Sequence, residues 1–141
     1  MKRYEFIEHT ADVAVRAYGG SLKELFTSSA YAMFCVLVSK KGNRPAPALK
    51  EVIVKIEEEE LEDMLKSWLD ELLFYFSSEY LILHRIKALV IKDNLLEASV
   101  LLETFDKDHF EIANEIKAVT YHELKVERIR NRWQANIIFD V

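Results

Sequence analysis

Alternating hydrophobic and polar residues occupy two short stretches near the start of the chain, over 4–9 and 13–18. A period of two is typical of a half-buried β-strand, because successive side chains of a strand point to opposite faces. Gly19 and Gly20 interrupt the second stretch directly after the alternation. The pattern therefore predicts two strands, the second of which ends at the glycines.

Two longer stretches repeat apolar residues every three or four positions, which is the spacing of one face of an α-helix. The first covers 22–38 and follows Ser21, with Glu24 three residues further on. Ser-x-x-Glu before an apolar repeat is the capping-box pattern of a helix N-terminus. The second stretch covers 61–76 and carries Trp68 on its apolar stripe. Both stretches are predicted helices that bury one face.

The pattern in the rest of the chain predicts mainly strands joined by turns. Alternation predicts strands over 52–56, 86–91, 95–102, 124–130 and 133–141. Asp93 and Asn94 suit a tight hairpin turn. The segment 115–122 is compatible with either a strand or a short helix. We therefore expect a single α+β domain over 1–141, with two long helices packed on a mostly antiparallel sheet.

Length and composition exclude several classes of protein. A chain of 141 residues, 50% hydrophobic and 30% charged, is too apolar for a disordered protein and fits one domain. The single cysteine, Cys35, excludes an intramolecular disulfide and a cysteine zinc cluster. Its place in the first helix predicts a buried small hydrophobe. A net charge of −5 argues against holding bare nucleic acid by bulk charge.

The chain shows no sign of a membrane segment or of a secretory signal. Its longest apolar run covers 30–38, whereas a membrane-spanning helix needs about 20 residues. The start of the chain passes directly into alternating sequence without the apolar core of a signal peptide. One cysteine is also what a reducing compartment allows. We therefore expect a cytoplasmic protein that does not contact a membrane.

Charge is distributed unevenly along the chain. Residues 57–63 include six acidic side chains and no basic one, whereas residues 117–132 include five basic and two acidic side chains. This asymmetry predicts a molecule with one negative and one positive end, which suits a protein partner or RNA phosphates. Charged residues on a solvated surface produce the same pattern without any partner.

Few residues suggest chemistry, since the chain has no phosphate-binding loop, no paired histidines at zinc spacing and no nucleophile elbow. His9 and Asp12 sit at the junction of the two predicted strands, where short polar side chains also satisfy turns. Asp140 precedes the last residue, Val141, so a terminal carboxylate would lie beside it. Asp12 and Asp140 would together form an oxygen site for Ca²⁺ or Mg²⁺, if the fold brings them together.

A third candidate segment, 115–122, combines Lys117, Thr120 and His122. From the pattern alone, an amphipathic segment with a solvated lysine and a hydrogen-bonded histidine explains it as well as an active site does.

Four segments in this order resemble the archease family, and the resemblance extends over essentially the whole chain. The segments are YEFIEHTAD at 4–12, SWLDELLF at 67–74, EIKAVTYH at 115–122 and IFDV at 138–141. The resemblance implies a strand-helix-strand-strand module with a second such unit inserted. It also implies an auxiliary protein without its own catalytic constellation, not a free-standing enzyme.

The partner that the resemblance implies is a tRNA-splicing ligase of the RtcB type. Archeases promote the GTP-dependent guanylylation of this ligase and its multiple turnover, and they meet RNA only through the ligase. The resemblance assigns a divalent metal, foremost Ca²⁺ with Mg²⁺ or Mn²⁺ as options, to Asp12, Asp140 and an oxygen of Val141. It assigns activation of the ligase to Asp12, Lys117 and Asp140.

Two other functions remain open from the residues. One is a small metal-dependent hydrolase that uses Asp12 and Asp140 directly, with His9 or His122 as the only nearby candidates for a general base. The other is a chaperone-like partner of another RNA-modifying enzyme.

Overall fold

The computed structural model describes residues 2–7, 12–43 and 45–141, and these form two helices and ten strands. In chain order the elements are β1 (Tyr4–Ile7), β2 (Val13–Gly19), α1 (Leu22–Leu37), β3 (Val38–Lys40), β4 (Leu49–Glu57), α2 (Leu61–Glu79), β5 (Leu81–Lys92), β6 (Leu95–Thr104), β7 (Phe110–Ile112), β8 (Ala118–Val119), β9 (Lys125–Ile129) and β10 (Arg132–Asp140). The α+β class is confirmed, and every described strand pair is antiparallel.

The strands form three sheets. In the largest sheet β1 pairs with β2 and β2 with β10, and β10 pairs on its other side with both β8 and β9. The second sheet has the order β4-β6-β5, and β3 with β7 forms a short ribbon. The unit β4-α2-β5-β6 is thus a strand-helix-strand-strand module inserted into the unit formed by β2, α1, β9 and β10. This confirms the predicted architecture.

The capping box predicted at the start of α1 is present. The Ser21 hydroxyl accepts a hydrogen bond from the backbone N–H of Glu24 at 3.2 Å. The Glu24 carboxylate turns back and accepts the N–H of Gly20 at 2.6 Å. These two bonds satisfy donors that the first turn of a helix leaves without partners, so the sequence itself fixes where α1 begins.

Gly19 is required by the close approach of β2 to α1. A Cβ atom at Gly19 would lie against the backbone nitrogen of Leu25 and 2.7 Å from the carbonyl carbon of Glu24. We expect Gly19→Ala to lower the free energy of unfolding by about 1–3 kcal/mol, because backbone atoms must shift. At Gly20 a Cβ would meet only the flexible Glu24 carboxylate, at 2.7 Å. Gly20→Ala should therefore cost less stability than Gly19→Ala. Urea unfolding of both variants measures the difference, and equal losses would contradict the explanation.

The second helix carries the largest fully buried side chain, Trp68. Its inner stripe is fully or almost fully buried and comprises Met64, Leu65, Trp68, Leu69, Leu72, Leu73 and Phe76. The Trp68 indole N–H donates to the carbonyl oxygen of Phe26 in α1 at 3.0 Å. The core thus lies between the helices and the sheets, as the apolar spacing predicts. Neither helix in the described residues is long and apolar enough to cross a bilayer.

The structure differs from the sequence-based expectation mainly in its strands. Most strand ends differ from the expected ones by one or two residues, which is ordinary for element ends. The strands β4 and β5 differ more, because they begin at Leu49 and Leu81 and not at 52 and 86. Three further strands, β3, β7 and β8, have only two or three residues each. Segments that short show no measurable alternation, so only their pairing partners define them. Within the ambiguous segment 115–122, the strand β8 is the only regular element.

Candidate functional site

The antiparallel pairing of β2 with β10 ends beside the two predicted acidic ligands. Val13 lies opposite Phe139 and Ala14 opposite Ile138. Asp12 directly precedes β2 and Asp140 ends β10, so one further step of this register would set them opposite each other. Directly opposed residues of antiparallel strands have Cβ atoms about 4.5–5.5 Å apart and on the same face. Two carboxylates at that spacing are within reach of one cation.

Lys117 reaches the same end of the sheet from the neighbouring strand. In β8, Ala118 pairs with Asp140, and the backbone N–H of Lys117 donates to the carbonyl oxygen of Asp140 at 2.7 Å. The side chains of Lys117 and Asp140 are exposed, and Asp12 is half-buried. We call this group, with Val141, the carboxylate corner. Of these residues, Lys117 and Asp140 are in direct contact through this backbone bond, whereas Asp12 lies one residue beyond the paired part of β2.

Thr120 anchors β8, the strand that directly follows Lys117. Its backbone N–H and its hydroxyl both donate to the carbonyl oxygen of Ile138, at 3.1 and 3.0 Å. The backbone N–H of His122 then donates to the Thr120 hydroxyl at 3.3 Å. These bonds hold a strand of only two residues against β10. The sequence pattern does not predict this role of Thr120, although Ser and Thr hydroxyls commonly bond to nearby backbone.

Of the two candidate histidines, the structure describes only His122. His9 lies outside the described residues. His122 is exposed, in the turn that follows β8. Among the residues that the structure describes, no three His, Cys, Asp or Glu side chains are grouped closely enough to hold a metal. A cation at the carboxylate corner would therefore use Asp12 and Asp140 and complete its shell with backbone or water oxygens, a donor set that suits Ca²⁺.

The acidic and basic segments touch each other, which overturns the expectation of two oppositely charged ends. The Glu62 carboxylate accepts the backbone N–H of Val126 in β9 at 2.8 Å. A hydrogen bond to the Asp63 carboxylate, followed by burial, raises the pKa of Tyr121. The Lys66 ammonium lies 5.0 Å from the centre of the Tyr121 ring. The start of α2 thus supports the segment that contains Lys117, a contact between positions far apart in the sequence.

The prediction that Cys35 is buried is wrong. The residue lies on the exposed side of α1, and its sulfur is 3.1 Å from the hydroxyl of Tyr4 in β1. The helical stripe has its edge at this position, so a small apolar residue there faces outward. The hydrogen bond with Cys35, followed by burial, raises the pKa of Tyr4 to about 12.

We expect Cys35→Ala to lower the pKa of Tyr4 towards its ordinary value of about 10. In the parent protein Tyr4 keeps its proton while the unfolded chain loses it, so stability should fall as the pH rises from about 10 to 12. Tyrosinate absorbance followed against pH, with Tyr4→Phe to identify the group, measures both proteins. Superimposable titration curves for the parent and Cys35→Ala would contradict the assigned cause.

Relatives of known sequence match this chain along its full length. The model of the Archease protein family matches residues 4–141. Protein archease of Sulfurisphaera tokodaii is 36% identical over 142 residues, and the match covers 100% of both chains. Protein archease of Pyrococcus abyssi is 38% identical over 146 residues, again with 100% of both chains covered.

Solved structures agree with the sequence matches. The solution structure of protein 1598 of Methanobacterium thermoautotrophicum superposes with a TM-score of 0.77 at 32% identity, and each chain is covered to 100%. The crystal structure of an archease from Thermotoga maritima, described as a possible chaperone, gives a TM-score of 0.69 at 26% identity over 96% of this chain and 94% of that one. Family model, sequence relatives and three-dimensional fold therefore coincide, and the chain belongs to the archease family.

Proposed function

We propose that this protein activates an RtcB-type tRNA-splicing ligase in the cytoplasm, promoting its GTP-dependent guanylylation and multiple turnover. The observation that carries the proposal is the register of β2 with β10, which would oppose Asp12 and Asp140 if continued by one residue, together with the bond from Lys117 to Asp140. These are the residues to which the family resemblance assigns the activity. Asp12 directly precedes β2, Lys117 directly precedes β8 and Asp140 ends β10, which supports a shared site where these strands meet.

Each residue of the corner has a role that its chemistry allows. The carboxylates of Asp12 and Asp140, with an oxygen of Val141, would hold a divalent cation. When bound, such an ion supplies charge neutralisation between phosphate oxygens. The exposed Lys117 ammonium is a flexible point charge that can meet a phosphate directly.

The exposure of the corner favours action on a partner over independent catalysis. Lys117 and Asp140 are both exposed at the end of a sheet. A site that excludes water needs a second wall, which a partner protein can provide. A chaperone-like action on another RNA-modifying enzyme is the second candidate, favoured by the description of the Thermotoga maritima relative as a possible chaperone.

A joining assay with RNA in excess over the cognate ligase tests the proposal. Added below the ligase concentration, the protein should raise the guanylylated fraction of the ligase and convert single-turnover joining into multiple turnover. An activator that is not consumed can visit many ligase molecules, provided that the complex dissociates quickly. Equal product with and without the protein, from a ligase shown to be active, would refute the proposal.

An assay of the protein without ligase distinguishes a ligase activator from a metal-dependent hydrolase. Incubated without ligase, it should neither hydrolyse GTP nor cleave a phosphodiester. Metal-dependent turnover by the protein alone, lost in Asp12→Asn, would instead favour the hydrolase.

We expect the corner to bind Ca²⁺ or Mn²⁺ directly, and weakly, because few protein ligands are available. Asp12→Asn and Asp140→Asn should each abolish the binding heat in calorimetry, since each removes a charged ligand. Glu59→Gln, which changes charge at an exposed position outside the corner, should bind like the parent. Unchanged affinity in both aspartate variants would place the ion elsewhere.

A further inference from the structure

A cavity of about 360 Å³ lies beside the N-terminal end of α1, away from the carboxylate corner. It is lined by Arg3, Tyr18, Gly19, Lys23, Glu24, Thr27 and Ser28. The backbone N–H of Tyr18 donates to the carbonyl oxygen of Arg3 at 2.7 Å, which holds the segment before β1 against the end of β2. The volume falls within the range of about 300–1,000 Å³ that is common for small-ligand sites.

The cavity is positively charged although the protein is acidic overall. Arg3 and Lys23 both line it, against the single carboxylate of Glu24. Outside the lining, the Tyr18 side chain contacts one charge of each sign: the Arg132 guanidinium lies 4.2 Å from its ring centre, and the Glu5 carboxylate accepts its hydroxyl at 2.9 Å. The N-terminus of the helix adds the positive end of its dipole. In a chain of net charge −5, this local excess of cations favours an anionic ligand.

Ser28 gives an independent indication of a ligand. Its residue surface is 5% exposed, and it lines the cavity. The neighbouring hydroxyls of Thr27 and Ser29 each donate to a backbone carbonyl four residues earlier, at 2.8 Å. Among the described residues, the Ser28 hydroxyl makes no such bond. The hydroxyl is not sealed from solvent, so a polar ligand in the cavity can bond to it in place of water.

Glu24 indicates that the ligand carries hydrogen-bond donors in addition to its anionic group. One of its carboxylate oxygens accepts the N–H of Gly20, which orients the group at the wall of the cavity. A carboxylate there repels a ligand that is only anionic and favours one that also donates hydrogen bonds. Vicinal hydroxyls of a ribose are donors of this kind, and acidic residues bind them in nucleotide sites.

We propose that this cavity binds a ribonucleoside phosphate. The phosphate contacts Arg3 and Lys23, and the ribose hydroxyls bond to Glu24 and Ser28. A free mononucleotide and the phosphorylated end of an RNA carry the same chemistry. The proposal does not depend on activation of a ligase, because it concerns residues outside the carboxylate corner and is tested by direct binding.

Calorimetry on the full chain with GMP, guanosine and inorganic phosphate tests the proposal. GMP should bind more tightly than either fragment, because only GMP contacts both halves of the cavity. Arg3→Gln and Lys23→Gln should each weaken GMP binding about tenfold, the usual effect of losing a charge-assisted hydrogen bond. Ser28→Ala should weaken both GMP and guanosine. Lys92→Gln removes an exposed lysine of β5 and should have no effect.

Binding of a short oligoribonucleotide with a terminal phosphate distinguishes an RNA end from a free nucleotide as the ligand. Tighter binding of the oligoribonucleotide than of GMP would identify an RNA end, and the reverse order a free nucleotide. Circular dichroism of each variant excludes misfolding as the cause of lost affinity. Absence of binding by both probes in the parent protein would overturn the proposal. Affinities that are equal in Arg3→Gln, Lys23→Gln and Lys92→Gln would also overturn it.

Discussion

Replacing Trp68 by alanine is expected to lower the free energy of unfolding by about 3–5 kcal/mol. The side chain is completely buried, and its indole N–H bonds to the carbonyl of Phe26, so it joins α2 to α1. Truncation removes the buried ring, leaves a cavity and breaks this bond between the helices. Because small domains are stable by only about 5–15 kcal/mol, the loss is a large share of the total.

The matched control lies on the same helix. Phe74 is also aromatic but is 56% exposed, so Phe74→Ala should cost less than about 1 kcal/mol. Urea unfolding followed by circular dichroism compares the two variants with the parent. A loss in Phe74→Ala that matches the loss in Trp68→Ala would show that α2 does not bury the face assigned to it.

The helices could be predicted because their information is local. The capping pair Ser21 and Glu24 lies within one turn, and the structure shows both of its bonds. The stripe that contains Trp68 repeats from Met64 to Phe76, over more than three turns of α2, so its spacing is distinguishable from that of a strand. Where the apolar pattern was marginal, as at Cys35 on the edge of the α1 stripe, the sequence-based prediction of burial was wrong.

The candidate site could not be predicted from local pattern, since its members come from segments far apart in the sequence. Asp12 lies near the end of β10 only because β2 is paired with β10, and Lys117 contacts Asp140 only because β8 pairs with β10 on its other side. Register between distant segments depends on packing of the whole sheet. The sequence contributed the residue types, and a resemblance to the family contributed the hypothesis that they act together.

The prediction of two oppositely charged ends was wrong because it took separation in sequence for separation in space. The acidic residues 57–63 and the basic residues 117–132 are separate in sequence, and we expected them at separate ends of the molecule. Glu62 instead contacts Val126, and Asp63 contacts Tyr121. Distance along the chain does not measure distance in space when β-pairing is non-local. The acidic run therefore lies beside the segment 117–132 and not at the far end of the molecule.

Loss of ligase activation without loss of stability is the expected result for Lys117→Ala. The side chain is exposed, and the backbone bond from residue 117 to Asp140 does not need it, so the free energy of unfolding should change by less than about 0.5 kcal/mol. Activation should nevertheless disappear, because the ammonium is the group proposed to meet a phosphate of the partner complex. Asp12→Asn and Asp140→Asn should also abolish activation, and for these two variants metal affinity should fall in parallel.

Three measurements on each variant distinguish these roles: turnover number of the ligase with RNA in excess, calorimetry with Ca²⁺ or Mn²⁺, and urea unfolding. Lys55→Ala, at an exposed lysine of β4, and Glu59→Gln are the matched controls and should activate like the parent. Lys117→Ala should retain metal affinity while losing activation, since its ammonium is not a ligand. Full activation by Lys117→Ala, or equal losses in Lys117→Ala and Lys55→Ala, would show that the carboxylate corner is not the surface through which this protein acts.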